Sequence, residues 1–521
     1  MEEQEATNTI TNNKRIAKNT FLLYIRMLLL MLVSLYTSRV NLNALGITDF
    51  GIYGVVGGVV SMFYIVSNAL IGSINRYLAF EIGRKNQERL NKVFCTAIGI
   101  QYIIVGVVFI LAETIGLWFL NYKLIIPADR LVASNWIYQF SILSFCLDLM
   151  VIPYTAAIIA HEKMSAFAYI SILTAVGKLI VAWTIIIAPI DRLIWFGALI
   201  LINSTIIRSI YIYYCKKHFE ECSCKFQFSV PIWKEMFGFA GWNFIGTIAA
   251  ILRDQGGNIL INLFAGPTVN AARSIANQVN NAVSGFADNF QTALKPQIIK
   301  SYAAGNLDYL YKLVFQGARF SYYILLVLTM PILCNTHYIL QLWLGIIPDS
   351  SELFVQLILI FTMSESLAGP LITAMLATGN IRNFQIIVGG LNLLNIPFSY
   401  IALKLGAIPE AIIIVAIFIS ICCEIARIAL LKRMIKMPAK DFLKKVYFNV
   451  IIVSLVSCLL PAYLHSQLAE NFISFLLISI TAIISTFTCI LFIGCNKEER
   501  TFILSKVKLL FQNIKKIFSH L

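Results

Sequence analysis

The chain has 521 residues, 59% of them apolar and only 13% charged, with a formal net charge of +15. Soluble domains run about 45–50% apolar and roughly 25% charged, so a single water-soluble enzyme core is excluded. The positive balance is spread thinly over short connectors, which excludes a nucleic-acid-binding surface and points to contact with anionic lipid head groups.

Apolar blocks of roughly 20 residues, the length that crosses hydrocarbon as helix, recur along the chain. Fourteen are expected, at about 20–38, 51–75, 93–112, 134–158, 165–188, 193–214, 236–263, 268–293, 311–334, 352–377, 382–403, 409–431, 447–464 and 471–494. The polar first twenty residues and the length of the first span do not fit a cleaved signal, so no segment is expected to be removed. Of the 41 Lys and Arg, the outer loops keep only Arg39, Lys123, Arg130, Arg192 and Lys404 once the N-terminus is placed in the cytoplasm. That asymmetry is the positive-inside pattern, and an even number of crossings leaves both termini cytoplasmic in an inner membrane.

The chain also repeats itself. Gly46-x-Thr48 is echoed by Gly266-x-Thr268, and Asn86-x-Glu88-x-Leu90-x-Lys92 by Asn306-x-Asp308-x-Leu310-x-Lys312, both at an offset of 220. Ile125-Ile126-Pro127 and Ile346-Ile347-Pro348 form a third pair, and Pro153-x3-Ala157-x2-Ala160 with Pro370-x3-Ala374-x2-Ala377 a fourth. Six spans separate the copies, which makes them parallel repeats of the kind that hold substrate between two rocking bundles.

The expected fold class is therefore an all-α polytopic membrane protein. It has about fourteen transmembrane helices in two pseudo-symmetric six-helix lobes plus two extra C-terminal helices. The N-terminal lobe takes 1–214, a cytoplasmic connector 215–234, the C-terminal lobe 235–431, spans 13 and 14 432–495, and a basic amphipathic tail 496–521.

In the connector, Cys215, His218, Cys222 and Cys224 lack a familiar zinc spacing and read as reduced cytosolic thiols, so no metal is expected. The glycines from Gly51 to Gly58 lack a preceding strand and a Lys-Ser/Thr, and read as helix-packing positions rather than a nucleotide loop. No cofactor is expected.

Function should show where polarity enters the spans, because an ionised group at mid-bilayer costs about 2.5–3.5 kcal/mol on insertion scales. Arg208, Arg319 and Arg427 lie near inner ends and can snorkel. Arg26, Lys178 and Arg253 lie deeper and need a solvated cavity; Arg253 adjoins Asp254. In span 8, Asn270, Arg273, Asn277, Asn281, Ser284, Asp288 and Gln291 recur at three- and four-residue intervals and form one polar stripe. Polar glue between helices is one reading of such a stripe, but glue rarely needs seven positions including an Arg and an Asp, which favours a wall of amides facing hydroxylated sugar. Asp148, Asp254 and Glu365 are candidate ion-coupling carboxylates, with interhelical hydrogen bonding the plainer role.

The stretch Leu45-Gly46-Ile47-Thr48-Asp49-Phe50-Gly51-Ile52-Tyr53 after an Arg-bearing first span resembles bacterial polysaccharide flippases. So do Asn270-Ala271-Ala272-Arg273 opening span 8 and Lys295-Pro296-Gln297-Ile298 at its inner end. These are the Wzx-like branch of the multidrug/oligosaccharidyl-lipid/polysaccharide exporter superfamily, and the likeness covers essentially the whole chain.

The resemblance implies a non-enzymatic flippase that turns an undecaprenyl-pyrophosphate-linked oligosaccharide across the inner membrane for O-antigen or another surface glycan. It also implies a glycan polymerase and other assembly proteins as partners. Related flippases place cavity arginines on the first and eighth helices, positions that Arg26 and Arg273 match. Span 2 departs from that pattern, since its only arginine, Arg76, lies at the cytoplasmic end. An ion-coupled drug or metabolite exporter of the same superfamily is a second reading, and a membrane-embedded glycan polymerase or ligase a third.

Overall fold

The computed structural model describes residues 2–61, 64–122, 126–223, 227–344 and 347–505, and these are helical with no strand among them. Thirteen helices are followed here: α1 (Glu2–Ser61), α2 (Tyr64–Arg84), α3 (Gln87–Tyr122), α4 (Ala128–Ala160), α5 (Met164–Ile187), α6 (Arg192–His218) and α7 (Val230–Ala303). The remainder are α8 (Leu307–Cys334), α9 (Ser351–Thr378), α10 (Arg382–Lys404), α11 (Ala411–Ile435), α12 (Ala439–Gln467) and α13 (Phe472–Gly494). Among the described residues, 11 helices are long and apolar enough to cross a membrane. The expected spans outside that set are the first, in α1, the second, across α1 and α2, and the polar eighth, in α7. The outer part of the expected tail and Cys224 lie outside the described residues.

Two long helices hide two spans each. α1 is broken at Gly46, whose φ of 81° and ψ of 170° no helix contains. In α7, of 74 residues, the Arg273 guanidinium reaches the Asp254 carbonyl at 3.3 Å. Nineteen residues of straight helix would separate them by about 28 Å, so the chain reverses between them. Gly46 and Gly266 are the first pair of repeat echoes.

The second pair is also realised in the backbone. Lys85 (φ 56°) and Gly305 (φ 76°) take left-handed conformations that end one helix. The next residue then caps the following one: Asn86 Oδ1 accepts from Arg89 N and Asn306 Oδ1 from Tyr309 N, each at 3.0 Å. An Asn cap satisfies amides that a helix start leaves unpaired. The same device therefore opens α3 and α8.

The chain forms two compact units. Unit 1 comprises Met1–Ile251, Thr292–Leu310 and Thr373–Gly389; unit 2 comprises Leu252–Gln291, Tyr311–Ile372 and Gly390–Leu521. In unit 1, α4 packs on α6, α2 and α3, and Gly197 lets α6 approach Ile137 and Phe140 of α4. In a π-helical turn at Ala112–Gly116 of α3 the Ala112 carbonyl accepts from both the Leu117 N–H and the buried Tyr138 hydroxyl, the latter at 2.8 Å. Gly116 makes room, since a Cβ there would fall 2.0 Å from that oxygen.

The outer rim of unit 1 is tied by Arg130, which donates to Asp49 at 2.7 and 2.5 Å and to Asp191 at 2.6 Å. Burial opposes the Asp191 charge, but the Arg130 hydrogen bond and the Ile194 and Leu193 amides hold its carboxyl below its ordinary value. In unit 2, α12 packs on α13 and α9 on α11. Large apolar side chains such as Trp183, Ile187, Phe418, Leu459 and Ile473 point outward, as a lipid-facing surface requires.

Candidate functional site: two clusters of buried cations

The α7 reversal brings together two cations that the sequence holds 20 residues apart. Arg253 donates to Asp254 Oδ1 at 3.0 Å and to Asn392 Oδ1 at 3.2 Å, and its guanidinium carbon lies 5.1 Å from the Phe361 ring centroid. Arg273 is 6% exposed. Its one hydrogen bond in the described set runs to the Asp254 carbonyl, while buried Nε and Nη1 have no partner. Its electrostatic neighbours are the Asp254 carboxylate, which attracts it, and Arg253, which repels it. Gly257 provides the space for this guanidinium, since a Cβ there would lie 2.5 Å from Nη1.

A guanidinium carries five donors and cannot shed its proton. Leaving most of them unmet at this depth is costly, as is holding two cations together. The arrangement is complementary to an anion with several acceptor oxygens, which Arg forks bind bidentately.

The span-8 stripe divides. Gln291 works as interhelical glue, donating to Ser321 Oγ at 3.2 Å and to the Ser366 carbonyl at 3.0 Å, with Gly369 leaving room for its amide. Asn281 and Asp288 are exposed, and Asn277 and Ser284 half-buried, while Ala276, Val283 and Ala287 are buried on the other face. The Asn270 side chain lies outside the described residues. Asn280, which the stripe did not include, accepts from Thr362 at 2.6 Å.

In unit 1, the Arg26 guanidinium carbon stands 4.4 Å from the centroid of the Phe167 ring, with its Nε unpartnered. Lys178 and Asp148 are exposed and within electrostatic reach of one another. The sequence reading missed both aromatic platforms, Phe167 and Phe361. A Phe in an apolar span carries no signal of its own, although Phe361 stands one turn before Glu365.

Two other span cations are engaged by carboxylates, with only the Nε of each left without a partner. Arg427 pairs with Glu424 at 2.5 Å and Glu365 at 3.9 Å, Ser420 donates to Glu365, and Tyr447 donates to Glu424 at 3.1 Å. Arg319 binds Glu499 at 2.6 Å and the Gly494 carbonyl at 2.8 Å, tying α8 to the segment after α13. Neither snorkels as expected: each is buried, because a carboxylate meets it in place, Glu424 of its own helix for Arg427 and Glu499 for Arg319. Glu365 thus belongs to an ion-pair network. Among the described residues, no group of three or more His, Cys, Asp or Glu is placed to hold a metal ion.

The fold is shared with solved transporters. An outward-facing multidrug resistance MATE family transporter of the MOP superfamily aligns with a TM-score of 0.70 at 12% identity, over 82% of this chain and 97% of that one. MATE in the bent conformation aligns at 0.71 and 12%, over 82% and 96%. A MOP superfamily transporter from Pyrococcus furiosus, described as having a binding pocket of reverse polarity that suggests a different function, aligns at 0.68 and 12%, over 83% and 96%. No curated protein matches the chain. Residues 16–301 match the family model described as Polysaccharide biosynthesis protein. That match spans more than half of the chain, and this multi-pass membrane protein with a MATE-like fold belongs to the polysaccharide biosynthesis protein family.

Proposed function

We propose that the chain is a flippase that moves an undecaprenyl-pyrophosphate-linked oligosaccharide across the bacterial inner membrane for surface polysaccharide synthesis. The observation that carries this reading is Arg273: buried, with Nε and Nη1 unpartnered, and set beside Arg253, with the Asp254 carboxylate its electrostatic counterweight. A pyrophosphate supplies the acceptor oxygens that this pair lacks, and the low surrounding dielectric strengthens each bond to it. Arg26, held face-on to Phe167 in unit 1, is a further cation for an anionic substrate. Asn277, Asn281, Ser284 and Asp288 offer the amide, hydroxyl and carboxylate groups that sugar hydroxyls require, and the polyprenyl tail stays in lipid.

Transport of this kind breaks no covalent bond, so no catalytic residue is assigned. Asp148 beside Lys178 and Asp254 beside Arg253 are the carboxylates we assign to ion coupling, while Glu365, engaged by Arg427 and Ser420, keeps a structural role. The partners are the lipid-linked oligosaccharide, anionic lipids, and a glycan polymerase with other assembly proteins.

A strain lacking the gene, complemented with Arg26→Ala or Arg273→Ala, should lose surface glycan while membrane-inserted protein stays at normal abundance. Normal glycan with both variants would sink the reading. The likeness to multidrug MATE transporters favours one rival, a drug or metabolite exporter. Increased drug resistance of a sensitised strain on expression of the unaltered chain, with unchanged glycan, would establish that rival instead.

A further inference from the structure

The two copies of the internal repeat end their fourth span in the same way, and the difference between the endings carries a mechanism. α4 closes on a Schellman cap: Glu162 N–H bonds the Ile159 carbonyl at 2.9 Å, Lys163 N–H bonds the Ile158 carbonyl at 3.0 Å, and Glu162 takes φ 60°. α9 closes at the matching place, 217 residues later, on Gly379 at φ 80°, whose N–H bonds the Leu376 carbonyl at 3.1 Å. Left-handed backbone suits glycine and penalises any side chain. The second copy has the glycine; the first accepts the penalty to present a glutamate.

That glutamate is buried and engaged. Its carboxylate accepts from Gln297 Nε2 and pairs with Lys300 Nζ, both at 2.5 Å, and its carbonyl accepts from Asn19 at 3.4 Å. The preceding His161 bonds Glu221 at 2.6 Å and stacks on Phe219, which fixes the turn's direction. Gln297 and Lys300 stand near the end of α7, where Gly83 of α2 lies so close that a Cβ would come within 2.8 Å of Lys300 Cα.

The Gly379 turn meets a reciprocal site. Arg76 of α2 donates to the Ala377 carbonyl at 3.2 Å, and a Cβ on Gly379 would fall 2.4 Å from Arg76 Nη2. Arg76 and Pro296, the residue just before Gln297, are related by the repeat offset of 220. Each copy's turn therefore sits on the end of the other copy's second span, and all of these residues belong to unit 1.

We propose that the two contacts form a paired latch closing the face of unit 1 at which spans 2, 4, 8 and 10 end, with Glu162–Lys300 as its switchable half. Both partners of that ion pair can be rehydrated when the latch opens, so the bond is firm when formed and reversible. The Gly379 half offers only a carbonyl to Arg76 and acts as a fitted stop. That release of the latch admits substrate from this face rests on the flippase reading; the closure itself does not.

Hydrogen exchange on the full-length protein in lipid nanodiscs tests it. Glu162→Gln and Lys300→Met should each speed exchange roughly tenfold or more in peptides covering 292–310, with peptides over 126–135 at the outer rim unchanged. The charge swap Glu162→Lys with Lys300→Glu should return 292–310 towards the unaltered rate, which a contribution from packing alone would not do. Unchanged exchange at 292–310 in both single variants, or no recovery in the swap, overturns the latch. Surface glycan scored alongside separates the two claims: latch variants that behave as expected in a chain that carries no glycan leave the latch standing and remove the flippase.

Discussion

Arg427 and Arg273 are the same residue type in the same membrane, 3% and 6% exposed, and they do opposite work. Arg427 meets two carboxylates, and of its buried nitrogens only Nε lacks a partner. Among the described residues Arg273 makes no ion pair within hydrogen-bond reach: it meets one carbonyl, feels Asp254 and Arg253 only through space, and leaves both Nε and Nη1 unmet. Burial does not separate a structural arginine from a binding one. Partner accounting does, because an unsatisfied charge persists in a fold only where something outside the chain satisfies it.

The largest test of that contrast is stability. Arg427→Ala strips the counter-ion from buried Glu424 and should cost about 3–5 kcal/mol, read as thermal unfolding of the detergent-solubilised protein. Arg273→Ala should leave the melting temperature unchanged or raised, and reduce glycan export by about 100-fold, the worth of a bidentate phosphate contact. Equal destabilisation by the two would erase the distinction. Gly257→Ala, whose new methyl displaces the Arg273 fork, should reduce export by roughly tenfold with stability nearly intact. The smallest effect lies at the outer rim. Because the Asp191 carboxyl is held below its ordinary value, its stabilising contribution is present above about pH 4 and lost as the pH falls further. Asp191→Asn should therefore flatten the fall in melting temperature between pH 5 and 3.

Much of this was legible in the sequence. Span lengths follow from hydrocarbon thickness, and the echoes at Asn86 and Asn306 mark a helix cap whose chemistry is local to three residues. The repeat glycine Gly46 marks the break in α1, where its positive φ suits glycine. The cation site was half legible: Arg253 and Arg273 stood out as charges in apolar blocks, but Phe361, Asn392 and Gly257 acquire meaning only when α7 folds back. Snorkelling failed for Arg319 because Glu499 lies 180 residues away, beyond any periodicity argument. Glu162 was invisible, since a glutamate in a polar loop is ordinary until its left-handed backbone and its two buried partners are seen.

The central claim, that Arg273 awaits the pyrophosphate of a lipid-linked sugar, is tested most directly in proteoliposomes loaded with undecaprenyl-pyrophosphate oligosaccharide. The measurement is the rate at which the glycan becomes accessible to an impermeant lectin. The unaltered chain should expose it, and Arg273→Ala should be slower by about 100-fold, with Arg273→Lys recovering only part of the rate. Equal rates for the unaltered chain and Arg273→Ala would contradict the account.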